Sequence, residues 1–322
     1  MLKNFIFICL FTLIHTTFLY AQKSTLKIGL LKKNNPEFQQ IFNSLHRELL
    51  DFNLIDFDVS KGYKHTYESI SKFKPDLLIG FDTIALKYIS EIQKIPKFKN
   101  TPILAISVYL EWQIERLGLK NISGISYEVS AYQLLTNFRY LTEKPIHKVL
   151  MPYRKSVYNK RYETEKVALQ KENIQLIPFN VEEKGNSINE IHYTLKSKLH
   201  HKIITHNVDA LWVLPDSAMI NYKTLNSIWL PASNKGIPFL SVLEKFATRE
   251  FDFCTFINSP DHNSLGVQLS EMVQDVIIEK IPIHELKIEP VITVKSTLNK
   301  YKAKKLKLPI INEHLSETSL ID

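Results

Sequence analysis

Short apolar runs alternate along the chain with longer segments whose apolar positions recur every third or fourth residue. Residues 26–31 (LKIGLL) read as a strand. Asn35 and Pro36 then open a helix, Asn as cap and Pro in the first turn, and Phe38, Ile41, Phe42, Leu45 and Leu49 follow at helical spacing. Ile55, Phe57 and Val59 alternate as in a strand. The rhythm continues with helix 66–73, strand 76–81, helix 83–93 and strand 102–108. A second set follows: helix 131–141, strand 148–153, helix 160–173, strand 174–181, helix 188–199, strand 210–214, helix 222–230 and strand 237–242. Strands alternating with helices predict parallel sheets covered on both faces, and two successive sets predict two α/β, doubly wound lobes of similar design.

The remaining segments do not make a third domain. Residues 265–278 carry Leu265, Leu269, Met272, Val273, Val276 and Ile277 on one helical face, and 287–294 alternates. Both read as elements returned to the two lobes. The chain is therefore expected to cross between lobes near Tyr127, near Phe256 and near Pro282. The expected division is 22–127 with 257–281 for the first lobe, 128–256 with 282–311 for the second, and a tail at 312–322.

The start of the chain has a different character. Lys3 precedes an apolar run over 5–14, and Leu19-Tyr20-Ala21 offers a small residue before Gln22. This is the pattern of a secretory signal peptide cut after Ala21, which predicts a periplasmic or secreted protein. The run is short for a membrane span, and no later segment reaches that length. Ile8 precedes Cys9 where a lipid-anchored protein has a small residue, so no anchor is expected at Cys9.

An apolar share of 44%, with 18 Phe and 14 Tyr, suits packed interiors. Removing 1–21 leaves Cys254 as the last cysteine, so the mature chain is held by packing and not by an internal disulfide. Cys254 sits among Phe251, Phe253 and Phe256 and reads as a buried thiol. The formal charge of +8 is densest from Lys295 to Lys307, which reads as solvated surface. Export and the absence of a helix-turn-helix or zinc-finger spacing argue against nucleic acid.

Catalytic signatures are missing. There is no Walker loop, GxGxxG, HExxH or CxxC, and Glu128 stands where Ser123-Gly124-Ile125-Ser126 would need a Gly to form a nucleophile elbow. His192, His200, His201 and His206 cluster in sequence, but no Asp, Glu or Cys shares a tight spacing with them. No enzyme activity, cofactor or metal is expected.

In parallel α/β sheets ligands bind beyond the carboxyl ends of the strands. Thr83 follows strand 76–81 and starts a helix, where its hydroxyl and the helix N-terminus could hold an anion. Ser107 and Tyr109 close strand 102–108, and Tyr153 closes strand 148–153. Asp216 and Ser217 follow strand 210–214, and Ser241 lies near the end of strand 237–242. Each also has a structural reading, as helix cap for Thr83, Asp216 and Ser217, turn residue for Ser107 and core edge for Tyr153. As a set, they predict a site in which Thr83 and Asp216 hold the two ends of a small zwitterionic or polar ligand and Tyr109 and Tyr153 sandwich its body.

The stretches 76–85 (DLLIGFDTIA), 101–107 (TPILAIS), 121–126 (NISGIS), 209–216 (DALWVLPD) and 236–241 (GIPFLS), with Leu265-Gly266 opening a helix, carry a resemblance. In order and spacing, the chain from Leu26 to Pro309 resembles the exported substrate-binding proteins of ABC importers, in the branch associated with aromatic amino acids and related small solutes. The resemblance implies a type I periplasmic-binding fold, with lobes closing on a small-molecule ligand and an ABC permease as partner. It carries pocket positions to Thr83, Ser107, Tyr153, Asp216 and Ser241. The chain departs from the family at Ile84, where Pro is usual, at Tyr109-Leu110, where Asp-Pro is usual, and over 246–251, which lacks an expected Gly-Ala. Two other functions stay open: a ligand-binding module of the same fold serving a membrane sensor, a kinase or cyclase, and an exported two-lobed enzyme such as a glycosyltransferase, which no nucleotide motif supports. A monomer is expected.

Overall fold

The computed structural model describes residues 26–34 and 38–321. The expected signal peptide at 1–21 and the Asn35-Pro36 helix opening lie outside the described residues. The chain divides into two units. The first runs to Glu128 and takes back His262–Ile292; the second is Val129–Asp261 with Thr293 onward.

The first unit begins β1 (Lys27–Lys32), α1 (Gln39–Glu48), β2 (Asn53–Asp58), α2 (Tyr63–Phe73), β3 (Leu77–Phe81) and α3 (Asp82–Gln93). It continues β4 (Ile103–Ser107), α4 (Leu110–Leu117) and β5 (Ile122–Ser126). In the second unit follow α5 (Ala131–Leu141), β6 (Lys148–Tyr153), α6 (Lys155–Gln170), β7 (Gln175–Asn180), α7 (Ile188–His206) and β8 (Ala210–Val213). After β8 come α8 (Tyr222–Thr224), α9 (Leu230–Ser233), β9 (Phe239–Ser241) and β10 (Phe256–Pro260). The chain then returns α10 (His262–Ile277) and β11 (Glu289–Pro290) to the first unit, and β12 (Val294–Asn299), α11 (Lys300–Lys305) and β13 (Thr318–Ile321) to the second.

The first unit's six-stranded sheet has the order β11-β5-β4-β3-β1-β2, all parallel. Every residue of β3 and β4 is buried, which is why both read as unbroken apolar runs: a parallel sheet is covered on both faces. The returned helix α10 packs on α1. Gly266 makes this close, because a Cβ there would meet Ser44 Cβ at 2.6 Å and Ile41 O at 2.7 Å. Ser44 Oγ donates to Asn263 O at 2.8 Å across the same seam. Tyr127, just before one passage, and His262, just after another, lie ring on ring (5.9 Å, 27°) with their polar atoms 2.5 Å apart, and Phe38 meets Tyr127 edge-on.

The second unit's seven-stranded sheet has the order β13-β12-β10-β9-β8-β6-β7. It is parallel except where β12 runs antiparallel to β10. Its core holds Trp212, Trp229, Phe239, Phe253 and Phe256, and Trp229 Nε1 donates to Met219 O at 2.9 Å. Cys254 lies fully buried among them, and burial pushes its thiol well above the ordinary value.

Several elements differ from the sequence reading. The helix expected over 222–230 is broken into α8, a π turn at Leu225–Trp229 and α9, because Pro231 cannot donate to the ladder and crowds the preceding turn. The helix expected at 160–173 runs over Lys155–Gln170 instead: it starts directly after β6, with Tyr158 buried in its first turn, and has ended before Asn173, which stands at φ +58°. Helix α4 was not expected: it is short and is entered through Tyr109 at φ +54°. The alternating segment 287–294 is divided, Glu289–Pro290 pairing with β5 and Val294 onward with β10. The expected tail is ordered: β13 adds to β12, and His314 stacks on Tyr140 at 3.6 Å. Within the lysine-rich stretch Lys302 is buried, its Nζ 3.4 Å from Ser233 Oγ and 3.7 Å from Asp252; burial above all lowers its pKa.

Gly124 in β5 has φ +146°, and a Cβ there would lie 2.0 Å from the Ala105 carbonyl oxygen of β4. Gly124→Ala is therefore expected to destabilise the protein by about 2 kcal/mol or more. A urea unfolding midpoint equal to that of the unmodified protein would contradict this.

Candidate functional site

At the carboxyl edge of the first sheet the chain turns from β3 into α3 through Asp82, held at φ +74°. Asx side chains tolerate this region. Asp82 Oδ1 accepts from Ile84 N at 2.6 Å and Ala85 N at 3.1 Å, so Asp82 caps the helix and takes the backbone donors that the sequence reading gave to a ligand at Thr83. Burial raises the Asp82 pKa, against the opposing effect of those two hydrogen bonds and of Lys33. Thr83 Oγ1 instead receives a hydrogen bond from Gln113 Nε2 at 3.0 Å, and Gln113 N donates to Tyr109 O at 2.9 Å. Thr83, Gln113 and Tyr109 thus form one cluster spanning the starts of α3 and α4. Ser107 is buried, and its hydroxyl donates to Val108 O at 3.4 Å.

At the carboxyl edge of the second sheet, β6 and β8 lie side by side and each is followed by a charged residue. Arg154 follows β6; Asp216 follows β8 by way of Leu214-Pro215. Arg154 Nε donates to Asp216 Oδ2 at 2.6 Å and Nη2 to Oδ1 at 3.3 Å. Asp216 Oδ1 also accepts from Ala218 N at 2.9 Å. Asp216 is 3% exposed, whereas the Arg154 side chain keeps 26% of its surface. Burial works to lower the Arg154 pKa, but the hydrogen bonds and charge of Asp216 outweigh it and the pKa is raised.

Two of the other expected residues sit apart from solvent. Tyr153 is buried and stacked on Tyr162 at 5.5 Å, so its ring belongs to the packing under α6, and burial raises its pKa. Ser241 is fully buried and donates to Val213 O at 2.7 Å, tying β9 to β8. Ser217 is exposed. Beside Asp216 and Ser217 opens a cavity of about 280 Å³ whose wall includes Tyr222, Lys245, Phe246 and Phe251. Tyr222 stacks on Phe251 at 5.9 Å, and Phe246 lies 5.6 Å from the same ring.

Arg154 and Gln113 are the polar residues that sequence reasoning passed over. Arg154 had a signal: it follows one strand as Asp216 follows the next, and adjacent strands bring such residues within reach. Gln113 had none, because the helix that carries it was not expected. His192 bonds to Ala218 O and Asn221, and among the described residues no three His, Cys, Asp or Glu side chains converge as metal ligands would. Among the described residues no helix is long and apolar enough to cross a membrane.

No known family and no curated protein matches the chain. Solved structures do match it. The ABC domain in complex with L-Trp from Streptococcus pneumoniae aligns with a TM-score of 0.58 at 19% identity, over 92% of this chain and 100% of that one. The ligand-free, open structure of a substrate-binding protein with adhesive properties from Clostridium difficile aligns at 0.65 and 15% identity, over 92% and 99%. A periplasmic ribose ABC transporter structure from Conexibacter woesei aligns at 0.50 and 14% identity, over 88% and 95%. The fold is the two-lobed, parallel-sheet α/β fold of type I periplasmic binding proteins.

Two outcomes follow from the site's electrostatics. Arg154→Met leaves the Asp216 carboxylate buried beside Ala218 N alone and is expected to cost about 3–5 kcal/mol, while the neutral pair Arg154→Gln with Asp216→Asn costs less; chemical denaturation of both reads the difference. Asp82 has a folded pKa above its unfolded value, so the native state binds the proton more readily. Its contribution therefore favours folding increasingly as pH falls from neutrality through the raised pKa toward the ordinary 3.8, and is lost as pH rises. Asp82→Asn, which keeps the cap and tolerates the backbone angle, is expected to be at least as stable at pH ~7 and to flatten that part of the pH–stability curve. A large loss of stability at neutral pH would contradict this.

Proposed function

We propose that the chain is an exported solute-binding protein that captures a small polar or amino-acid-like ligand by closure of its two units and delivers it to an ABC importer. The observation that carries this reading is that one chain builds two doubly wound units, joined by three passages, each with polar side chains at the carboxyl edge of its sheet. That edge is where such sheets bind ligands. Thr83, Gln113 and Tyr109 are the first unit's contribution. Arg154 and Ser217, with Asp216 holding Arg154, are the second's.

A ligand that contacts both units favours the closed arrangement by its differential affinity for it, and a permease reads that state. The L-Trp bound by one structural neighbour, together with the Tyr222, Phe246 and Phe251 wall, favours a ligand with an aromatic or apolar body from the aromatic-solute branch. Ser107, Tyr153 and Ser241 then act through the packing beneath the site. The protein works as a monomer in the periplasm or outside the cell, after cleavage following Ala21.

A thermal-shift screen against amino acids, purines and small sugars tests the reading. A true ligand at about 100 times its dissociation constant adds about 2.7 kcal/mol to stability. A screen in which no small solute raises the melting temperature would overturn the proposal. Mass spectrometry of the exported protein is expected to find Gln22 at the N-terminus; an intact Met1 would count against export by this route.

A further inference from the structure

The ordinary expectation for a buried aspartate at a strand end is that it pairs with a ligand's cationic group. Here both carboxylate oxygens of Asp216 are already taken, Oδ2 by Arg154 Nε and Oδ1 by Arg154 Nη2 and Ala218 N. An ammonium could reach Asp216 only by displacing a planar fork that fits a carboxylate far better than a point cation does. The pair cancels in charge, but not in accessibility: Asp216 is 3% exposed, and the Arg154 side chain retains 26%. A guanidinium has five N–H donors, and two go to Asp216. The Nη1 donors and one on Nη2 have no protein acceptor among the described residues.

The surrounding charges are of both signs. Glu182 accepts from Ser156 N and Oγ, Glu244 lies 3.7 Å from Lys295, and Glu250 accepts from the Tyr222 hydroxyl. Glu182 keeps its charge and acts on Arg154 through it, and Glu244 and Glu250 are exposed. Lys245, on the cavity wall, has its amine 5.7 Å from the Phe251 ring and 6.0 Å from that of Phe246. Among the residues that line the cavity, Lys245 is the exposed charge, and the wall is aromatic. Asp216 lines that cavity and holds Arg154.

We infer that the second unit receives a carboxylate, carried on an apolar or aromatic body, through the outward donors of Arg154, and not an ammonium through Asp216. The inference rests on the solute-binding reading and names the chemical class of solute. Arg154 makes the contact; Asp216 positions it, fixing the guanidinium plane and leaving its outer edge free. Lys245 adds attraction, and Tyr222 and Phe251 give the body a flat surface.

Calorimetric titration with three probes of one body tests this: phenylpropionate, which has only the carboxylate; phenethylamine, which has only the ammonium; and phenylalanine, which has both. Phenylpropionate is expected to bind at least about tenfold more tightly than phenethylamine, the scale of one charge-assisted contact. Asp216→Asn keeps one acceptor oxygen but loses the charge that fixes the guanidinium, and is expected to weaken phenylpropionate binding by a smaller factor than the loss of Arg154 itself. Arg154→Gln with Asp216→Asn retains a neutral hydrogen-bonded pair and is expected to weaken it by about tenfold or more. Thermal melts confirm that each variant is folded. Preference for phenethylamine, equal binding of phenylpropionate by the double variant, or binding of none of the three probes overturns the inference. The solute-binding reading itself then stands or falls on the broader thermal screen, where a hit of another class preserves it and a blank removes it.

Discussion

A parallel sheet has to be covered on both faces, and this constraint orders everything else in the protein. Strands such as Leu77–Phe81 and Ile103–Ser107 are buried along their full length, so their side chains are given over to packing. Polar chemistry is displaced to the strand ends, where backbone leaves the sheet and side chains meet water. Asp82, Tyr109, Arg154 and Asp216 all stand there, and two of them hold positive φ angles to turn the chain sharply. Ser107 and Ser241, the last residues of β4 and β9, are instead consumed by the interior and spend their hydroxyls on neighbouring carbonyls.

That division also explains how far the sequence could be read. The strands 76–81, 102–108 and 210–214 were legible because two-sided burial leaves an uninterrupted apolar signature. The alternation of strands and helices carried the doubly wound fold with it. Elements defined by distant partners carried no such mark. β13 is a four-residue piece of the tail with no apolar alternation until β12 pairs with it, and Glu289–Pro290 becomes a strand only through β5. Leu110–Leu117 was hidden by its length and by an entry residue that is neither glycine nor a usual cap.

At the candidate site the same limit operated one level lower. Position at a strand end could be read, but hydrogen-bond allegiance could not. Asp82 and Thr83 are adjacent in sequence, yet one caps the helix and the other answers to Gln113, thirty residues on. Asp216 was legible as a charged residue beyond β8. That its charge is matched depends on Arg154, sixty-two residues earlier and brought alongside only by the β6–β8 pairing. The sign of the accessible charge therefore changes between the two levels of description.

The passages between units have a further consequence, for the order of assembly. The Ser44–Asn263 hydrogen bond, in the seam where Gly266 admits α10 against α1, joins residues 219 apart in the chain. The first unit thus lacks one helix and one edge strand until the whole of Val129–Asp261 has been made. The second in turn lacks β12 and β13 until the first is complete. Each unit waits for the other's sequence, so neither matures as an independent block. Closing such long loops before their contacts reward it slows folding, and it extends the period in which the chain is held open.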